Sequence, residues 1–456
     1  MIMKMILPLE GYAMKKYSAA IFLALCMAML LTGCGFRAVD ELYTLPKLPG
    51  DYQNLQSKIE EVTIGTGAEY SAPLWGSNTQ PVQFQDLDGD GTLEALAFFK
   101  VAADEKPLKI YVFRLNDGGY EVSAVIEGDG TAISTVTYEN FNTSPATELL
   151  VSWQKSTNVN TVAVYSVEDD EVSELLNVPY TAHEVQDIDM DNHKELLVIN
   201  VDTVEGNRSR VDCYAAEKAG LVLVSSAPLS QGITALDTEA DRQGYLKGSL
   251  PIPALYVTST LGEGIVTDIF AWKDGALKNV TLNSETGVSN STSRAKGKAK
   301  PADINNDTMM ELPVPIGQPG GATNIPTMDA WYQYDMDGVG TLVFTTYHNF
   351  DDGWYFVLPD DWVGSVTVAQ DTAVIGEKRT AFGHWNGERS ESFLVIYRLT
   401  GPNRHMRARL GGRFTVSADD TTIYCAEFTQ STWKGGLDEG AVKERFKLSQ
   451  TSWPTG

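Results

Sequence analysis

A nine-residue acidic turn occurs three times in this chain, each time running straight into an apolar segment. The copies are Asp86-Leu-Asp88-Gly-Asp90-Gly-Thr92-Leu-Glu94, Asp187-Ile-Asp189-Met-Asp191-Asn-His193-Lys-Glu195 and Asp303-Ile-Asn305-Asn-Asp307-Thr-Met309-Met-Glu311. Oxygen-bearing side chains stand at positions 1, 3, 5 and 9, and runs such as Leu96-Ala97-Phe98-Phe99 and Leu196-Leu197-Val198-Ile199 follow as strand signals. Alternating side-chain oxygens separated by Gly or Asn suit a hard cation that takes six or more oxygen ligands at flexible distances. A helix–loop–helix calcium site is excluded, because its loop closes on a bidentate Glu at position 12. Position 12 here is Ala97, Val198 and Val314.

Spacing turns the motif into an architecture. Asp86 and Asp187 are 101 residues apart, about two repeats of a four-stranded unit of roughly 40–50 residues. A weaker copy lies midway, Asn140-Phe-Asn142-Thr-Ser144-Pro-Ala-Thr-Glu148, and leads into Leu149-Leu150-Val151-Ser152. Another begins at Asp237-Thr-Glu239-Ala-Asp241, with an insertion before the strand Ala254-Leu255-Tyr256-Val257. β-Branched and aromatic runs at Ile110–Phe113, Val162–Tyr165 and Thr267–Trp272 supply further strands between the turns. A β-sandwich with acidic turns is the competing architecture, but regular recurrence of one turn chemistry favours repeated blades.

These turns and their spacing resemble the FG-GAP/VCBS repeat family, whose members form β-propellers with Asp-rich calcium loops between strands. The resemblance implies a mainly β fold, a propeller of about five blades over residues 65–318, with calcium as a structural cofactor. It implies metal ligands at Asp86, Asp88, Asp90, Thr92 and Glu94, at Asp187, Asp189, Asp191, His193 and Glu195, and at Asp303, Asn305, Asp307, Met309 and Glu311. At position 7 (Thr92, His193, Met309) the expected ligand is the backbone carbonyl. The two weaker copies are expected to hold no metal.

The N-terminus points to export. Lys15-Lys16 precede an apolar run from Ala19 to Leu31, which ends in Leu31-Thr32-Gly33-Cys34. A basic start, a short apolar stretch and small residues before a cleavage point make a secretory signal over residues 1–33. The run is too short for a membrane span. Leu-Thr-Gly-Cys is similar to the lipobox of bacterial lipoproteins, which implies lipidation of Cys34, a tether with a short helix over residues 34–64, and a membrane-anchored, extracytoplasmic protein. Removing residues 1–33 takes Lys4, Lys15, Lys16 and Glu10, leaving 32 basic against 59 acidic side chains, a net −27. That balance excludes nucleic acid as a partner. A local exception, Arg294-Ala-Lys296-Gly-Lys298-Ala-Lys300, is either an exposed strand edge, the favoured reading, or an anion-binding strip.

Pro- and Gly-rich residues from Pro313 to Pro326 mark an expected boundary, after which residues 328–456 form a small α+β domain ending in a helix over Leu437–Leu448. Asp335-Met-Asp337-Gly338 lacks the later acidic positions and is expected to be a plain turn. Trp331, Trp354, Tyr355 and Trp362 are expected in the core, and Cys213 and Cys425 as two separate buried thiols. Catalytic signatures are missing from the sequence: there is no Gly-x-Ser-x-Gly, His-Glu-x-x-His, phosphate loop or Cys-x-x-Cys. The expected function is a non-enzymatic scaffold that binds a protein or glycan at the cell surface. The alternative is a polysaccharide-active or other hydrolytic enzyme built on the same scaffold.

Overall fold

The computed structural model describes residues 50–449 apart from 143, 203–208, 218–219, 321–327, 432 and 434. The signal segment, the lipobox and Cys34 lie outside the described residues. The chain is mainly β, 55% strand and 9% helix. The described residues open with helix α1 (Gly50–Thr66), and six antiparallel sheets follow in chain order.

The first sheet comprises β1 (Glu69–Tyr70), β2 (Val82–Gln85), β3 (Glu94–Lys100), β4 (Leu108–Asn116) and β5 (Gly119–Gly128). The second holds β6 (Ala132–Glu139), β7 (Glu148–Ser156), β8 (Val159–Glu168) and β9 (Glu171–Tyr180), and the third β10 (Ala182–Gln186), β11 (Glu195–Asn200), β12 (Arg210–Glu217) and β13 (Gly220–Pro228). In the fourth, β14 (Ile233–Leu236) and β15 (Gln243–Leu246) both pair with β16 (Ile252–Leu261), which continues to β17 (Gly264–Lys273), β18 (Ala276–Asn279) and the short β19 (Arg294–Ala295). The fifth is β20 (Glu311–Ile316), β21 (Met328–Tyr334), β22 (Gly340–Asn349) and β23 (Trp354–Leu358). The sixth is β24 (Val366–Val374), β25 (Glu377–Trp385), β26 (Ser390–Thr400), β27 (Phe414–Ala418) and β28 (Thr422–Phe428), with helix α2 (Arg404–Arg407) between β26 and β27. Helix α3 (Glu439–Arg445) then leads into β29 (Phe446–Leu448), which returns to pair with β23 of the fifth sheet.

Strands that are apolar on both faces explain the stacking. In β3, Leu96 and Phe98 pack with Val151, Trp153 and Ala163 of the second sheet, while Ala95, Ala97 and Phe99 meet Leu55 and Ile59 of α1. This is the period-two alternation of a strand buried from both sides. Further clusters join the second sheet to the third (Leu150, Val164; Leu196, Val198), the third to the fourth (Leu197, Val211; Leu255, Phe270) and the fourth to the fifth (Tyr256, Ile269; Leu312, Tyr334). Trp354 and Phe356 then meet Phe382 and Leu394 of the sixth. Among the described residues no such cluster joins the first sheet to the sixth. The first is covered by α1, and the far face of the sixth by Ala408 and by Arg413, whose guanidinium lies 3.6 Å over the Tyr397 ring.

Several expectations change here. The boundary placed between 318 and 328 falls inside a sheet, because β20 pairs with β21 in the register Pro313↔Trp331 and Pro315↔Asp329. Pro313 and Pro315, which read as linker, lie on β20, the edge strand of this sheet, where a missing N–H costs little. The C-terminal region is a further antiparallel sheet; its expected closing helix is shorter, Glu439–Arg445, capped by Asp438 accepting from the Ala441 amide at 2.8 Å. Asp335–Gly338 is the turn between β21 and β22, and Trp331, Trp354 and Trp362 are buried. Cys213 and Cys425 are separate buried thiols. The basic strip is not simply an exposed edge: Arg294 is buried, and Lys300 is engaged in ion pairs.

Candidate metal centre in the acidic turns

The first, second, third and fifth sheets each begin with the same closure. The residue before position 1 pairs across with the position-9 glutamate: Gln85↔Glu94, Glu139↔Glu148, Gln186↔Glu195 and Ala302↔Glu311. In all four, that glutamate is buried and one carboxylate oxygen accepts the position-2 backbone amide. The distances are 2.8 Å from Leu87, 3.1 Å from Phe141, 3.0 Å from Ile188 and 3.0 Å from Ile304. The apolar position-2 side chain is buried in every case, which pins the turn to the core on one side while its acids face out.

The three strong copies share the rest of the loop. The position-1 carboxylate accepts the position-6 amide, from Gly91 at 3.0 Å, Asn192 at 3.0 Å and Thr308 at 2.8 Å. Position 5 accepts the position-7 amide, at 2.6 Å for Thr92, 2.7 Å for His193 and 2.9 Å for Met309. Positions 4 and 6 take positive φ: Gly89 77° and Gly91 87°, Met190 64° and Asn192 72°, Asn306 61° and Thr308 75°. Such values are uncommon for non-Gly residues and an outlier for a β-branched one, so the loop geometry overrides local preference.

The carboxylates converge in two of the three. Single oxygens from Asp86, Asp88 and Asp90, and from Asp187, Asp189 and Glu195, lie within 4.8 Å of one another. In the first turn, Glu94 is 1% exposed and its Oε1 has no hydrogen-bond partner. A buried carboxylate oxygen without a donor is costly, although Glu94 is not one of the three carboxylates that converge in this turn. In the third turn, burial and then the neighbouring Asp189 and Asp191 charges push the Glu195 carboxyl up to about 7 despite the Ile188 amide. Burial and Asp191 likewise raise Asp189. This concentration of acid is the electrostatic condition that a bound divalent ion inverts.

Elsewhere, protein groups enter the turns. In the second, Asn140 Nδ2 donates to the Ser144 and Ala146 carbonyls at 2.6 and 2.7 Å, and Asn142 Nδ2 donates to Glu148 Oε1 at 2.6 Å. In the fifth, the Gln333 amide from β21 donates to Asp307 Oδ2 at 2.7 Å and Glu311 Oε1 at 2.6 Å, so no three carboxylates converge there among the described residues. Glu311 is nonetheless held near 7, chiefly by burial. Arg114 of β4 reaches Asp88 Oδ2 at 2.6 Å in the first turn. The His193 ring contacts Asp191 at 3.1 Å beside the third. Sequence spacing missed Arg114 and Gln333 because each arrives from another strand, and no local pattern marks them.

A groove of about 560 Å³ between α1 and the first sheet is lined mainly by apolar side chains, Leu55, Ile59, Val82 and Phe84 among them, whereas another cleft is polar. This second cleft, of about 710 Å³ between the fourth and fifth turns, is lined by Glu184, Glu239, Arg242 and Lys300; Arg242 bonds Glu184 at 3.1 Å. His183 touches Ser152 Oγ at 2.9 Å, but Ser152 is fully buried and burial holds the imidazole near 4, so the pair is a neutral packing contact. His384 stacks on Trp433 at 4.7 Å. No described helix is long and apolar enough to cross a membrane.

The chain matches no protein-family model and no curated protein. Among solved structures it is similar to the exotype rhamnogalacturonan lyase YesX, at 12% identity and TM-score 0.32 over 67% of each chain. It is similar to rhamnogalacturonan lyase YesW at 11% identity and TM-score 0.30, over 70% of this chain and 69% of that one. It is similar also to the periplasmic gluconolactonase PpgL of Pseudomonas aeruginosa at 10% identity and TM-score 0.28, over 68% of this chain and 79% of that one. Likeness this remote leaves function to the chain's own residues.

Proposed function

We propose that this protein is a lipid-anchored, extracytoplasmic scaffold of propeller-type blades whose acidic turns carry structural calcium, presenting its surface to a protein or glycan ligand. The observation that supports this most is the pair of carboxylate clusters at Asp86-Asp88-Asp90 and Asp187-Asp189-Glu195. Calcium would draw on the position-1, -3, -5 and -9 side chains with the carbonyls of Thr92 and His193. When bound it supplies charge neutralisation, which lets acids on one tight loop coexist. The chain's own residues do the rest: the position-9 glutamate ties the turn to the strand, and position 2 ties it to the core.

Calcium-45 equilibrium dialysis on the mature chain tests the metal assignment, with two ions per chain expected. Extracellular calcium modules bind at roughly 10⁻⁴ to 10⁻³ M, so half-saturation in that range is expected; no saturable binding below about 10 mM would refute it. Fatty-acid labelling of wild type and Cys34→Ser tests the anchor, with label on the wild type only.

A further inference from the structure

The fourth turn differs from its neighbours in what neutralises it. Asp237 and Glu239 occupy positions 1 and 3, the counterparts of Asp86 and Asp88 or Asp187 and Asp189. The Glu239 amide donates to Asp237 Oδ1 at 3.1 Å, folding the start of the loop as an acid turn. Position 9 is Tyr245, so the buried glutamate is missing. In its place Lys300 reaches across from the segment leading into the fifth turn. Its ammonium lies 2.6 Å from Asp237 Oδ2 and 3.7 Å from Glu239 Oε2. The Lys300 and Asp237 side chains are only 21% and 16% exposed, so water screens this contact far less than a surface ion pair. Arg242 adds Nη2 against the Asp237 carbonyl at 3.4 Å.

We propose that Lys300 is the tethered cation of the fourth turn, filling with a side-chain ammonium the position that calcium takes in the first and third. The inference rests on the proposed calcium role of those two turns. Its consequence is structural: a metal ion neutralises one loop, whereas Lys300, three residues before Asp303, also clamps the fourth turn to the start of the fifth. A flexible ammonium has three donors in no fixed fork, so one side chain can serve the position-1 and position-3 oxygens that a divalent ion would otherwise bridge.

The test is calcium stoichiometry and melting temperature of the mature chain, for wild type, Lys300→Met and the double variant Asp237→Asn/Lys300→Met. Lys300→Met is expected to melt lower in EGTA, to recover in 10 mM calcium, and to bind one more calcium ion per chain than wild type. The double variant is expected to bind the wild-type number and to melt above Lys300→Met in EGTA. An unchanged calcium count in folded Lys300→Met overturns the proposal. If Lys300→Met folds under neither condition, the double variant decides: its folding supports the charge role, and its failure to fold assigns Lys300 to packing and overturns it. The wild-type count alone reports on calcium in the first and third turns, so the two failures are distinguishable.

Discussion

Glu195→Gln separates a cation-dependent turn from an ordinary hydrogen-bonded one. Glu195 is 3% exposed, accepts the Ile188 amide at 3.0 Å, and titrates at about 7 because burial and the Asp189 and Asp191 charges oppose its ionisation. An unfolded chain would ionise it near 4.3, so holding it charged at pH 8 without metal costs up to about 4 kcal/mol; solvent at the loop mouth reduces this to ~2. A glutamine keeps the Ile188 hydrogen bond and can donate its amide to Asp187 or Asp189, while removing the charge. The variant is therefore expected to melt higher than wild type in EGTA at pH 8, by about 1 °C per kcal/mol for a chain of this length. Calcium at 100 times its Kd should stabilise the wild type by about 2.7 kcal/mol, and loss of one carboxylate ligand should shrink that increment to less than half. Differential scanning calorimetry in EGTA and in calcium reads both effects. A Glu195→Gln protein that melts lower than wild type in EGTA, or keeps the full calcium increment, would refute the reasoning.

Four further variants have expected outcomes. Glu148→Gln, in the turn where Asn142 already donates to the carboxylate at 2.6 Å, should lose about 1–3 kcal/mol equally with and without calcium, by chemical denaturation. Burial alone raises Asp329 to about 7, and its Oδ1 has no partner. A carboxyl whose folded pKa is raised contributes stability that is complete below about pH 4 and lost as pH rises through about 7. Asp329→Asn should therefore flatten the fall in melting temperature between pH 4 and 8, and an unchanged pH profile would count against it. Gly89 and Gly91 both have positive φ, yet a Cβ on Gly89 would sit 2.6 Å from the Pro145 carbonyl carbon, whereas Gly91 has open space. Gly89→Ala should cost roughly 1–3 kcal/mol from overpacking beyond its backbone strain. Gly91→Asn should be nearly neutral, since Asn192 holds the same position at 72°.

Much of the β architecture was legible because strands buried on both faces leave unbroken apolar runs. Leu96–Phe99, Leu149–Ser152, Leu196–Ile199 and Ala254–Val257 fall inside β3, β7, β11 and β16. The half-strength turn at Asn140 was also readable, because its glutamate keeps the spacing that the backbone closure demands. The division at 318–328 was misplaced because Pro313 and Pro315 carry the same composition on an edge strand as in a linker. The sixth sheet was only partly legible: it has no acidic turn to mark it, and its strands are separated by irregular connections. Within the candidate metal centre, the sequence located the acids but not their local counter-donors. Lys300 lies 63 residues from Asp237, Gln333 lies 26 from Asp307, and Arg114 lies 26 from Asp88. Strand pairing within one sheet brings Arg114 and Gln333 to their turns, and the approach of the fifth sheet's leading segment to the fourth turn brings Lys300.

The most direct test of cation-dependent acidic turns in a stacked-sheet scaffold is a calcium back-titration of the melting temperature. The protein is first stripped with EGTA at pH 8 and then titrated from about 10⁻⁵ to 10⁻² M calcium, a range that brackets extracellular modules. The expected result is a saturable rise in melting temperature, abolished when Asp86→Asn/Asp88→Asn and Asp187→Asn/Asp189→Asn are combined. A melting temperature indifferent to EGTA and calcium in the wild type would contradict the structural role given to the turns.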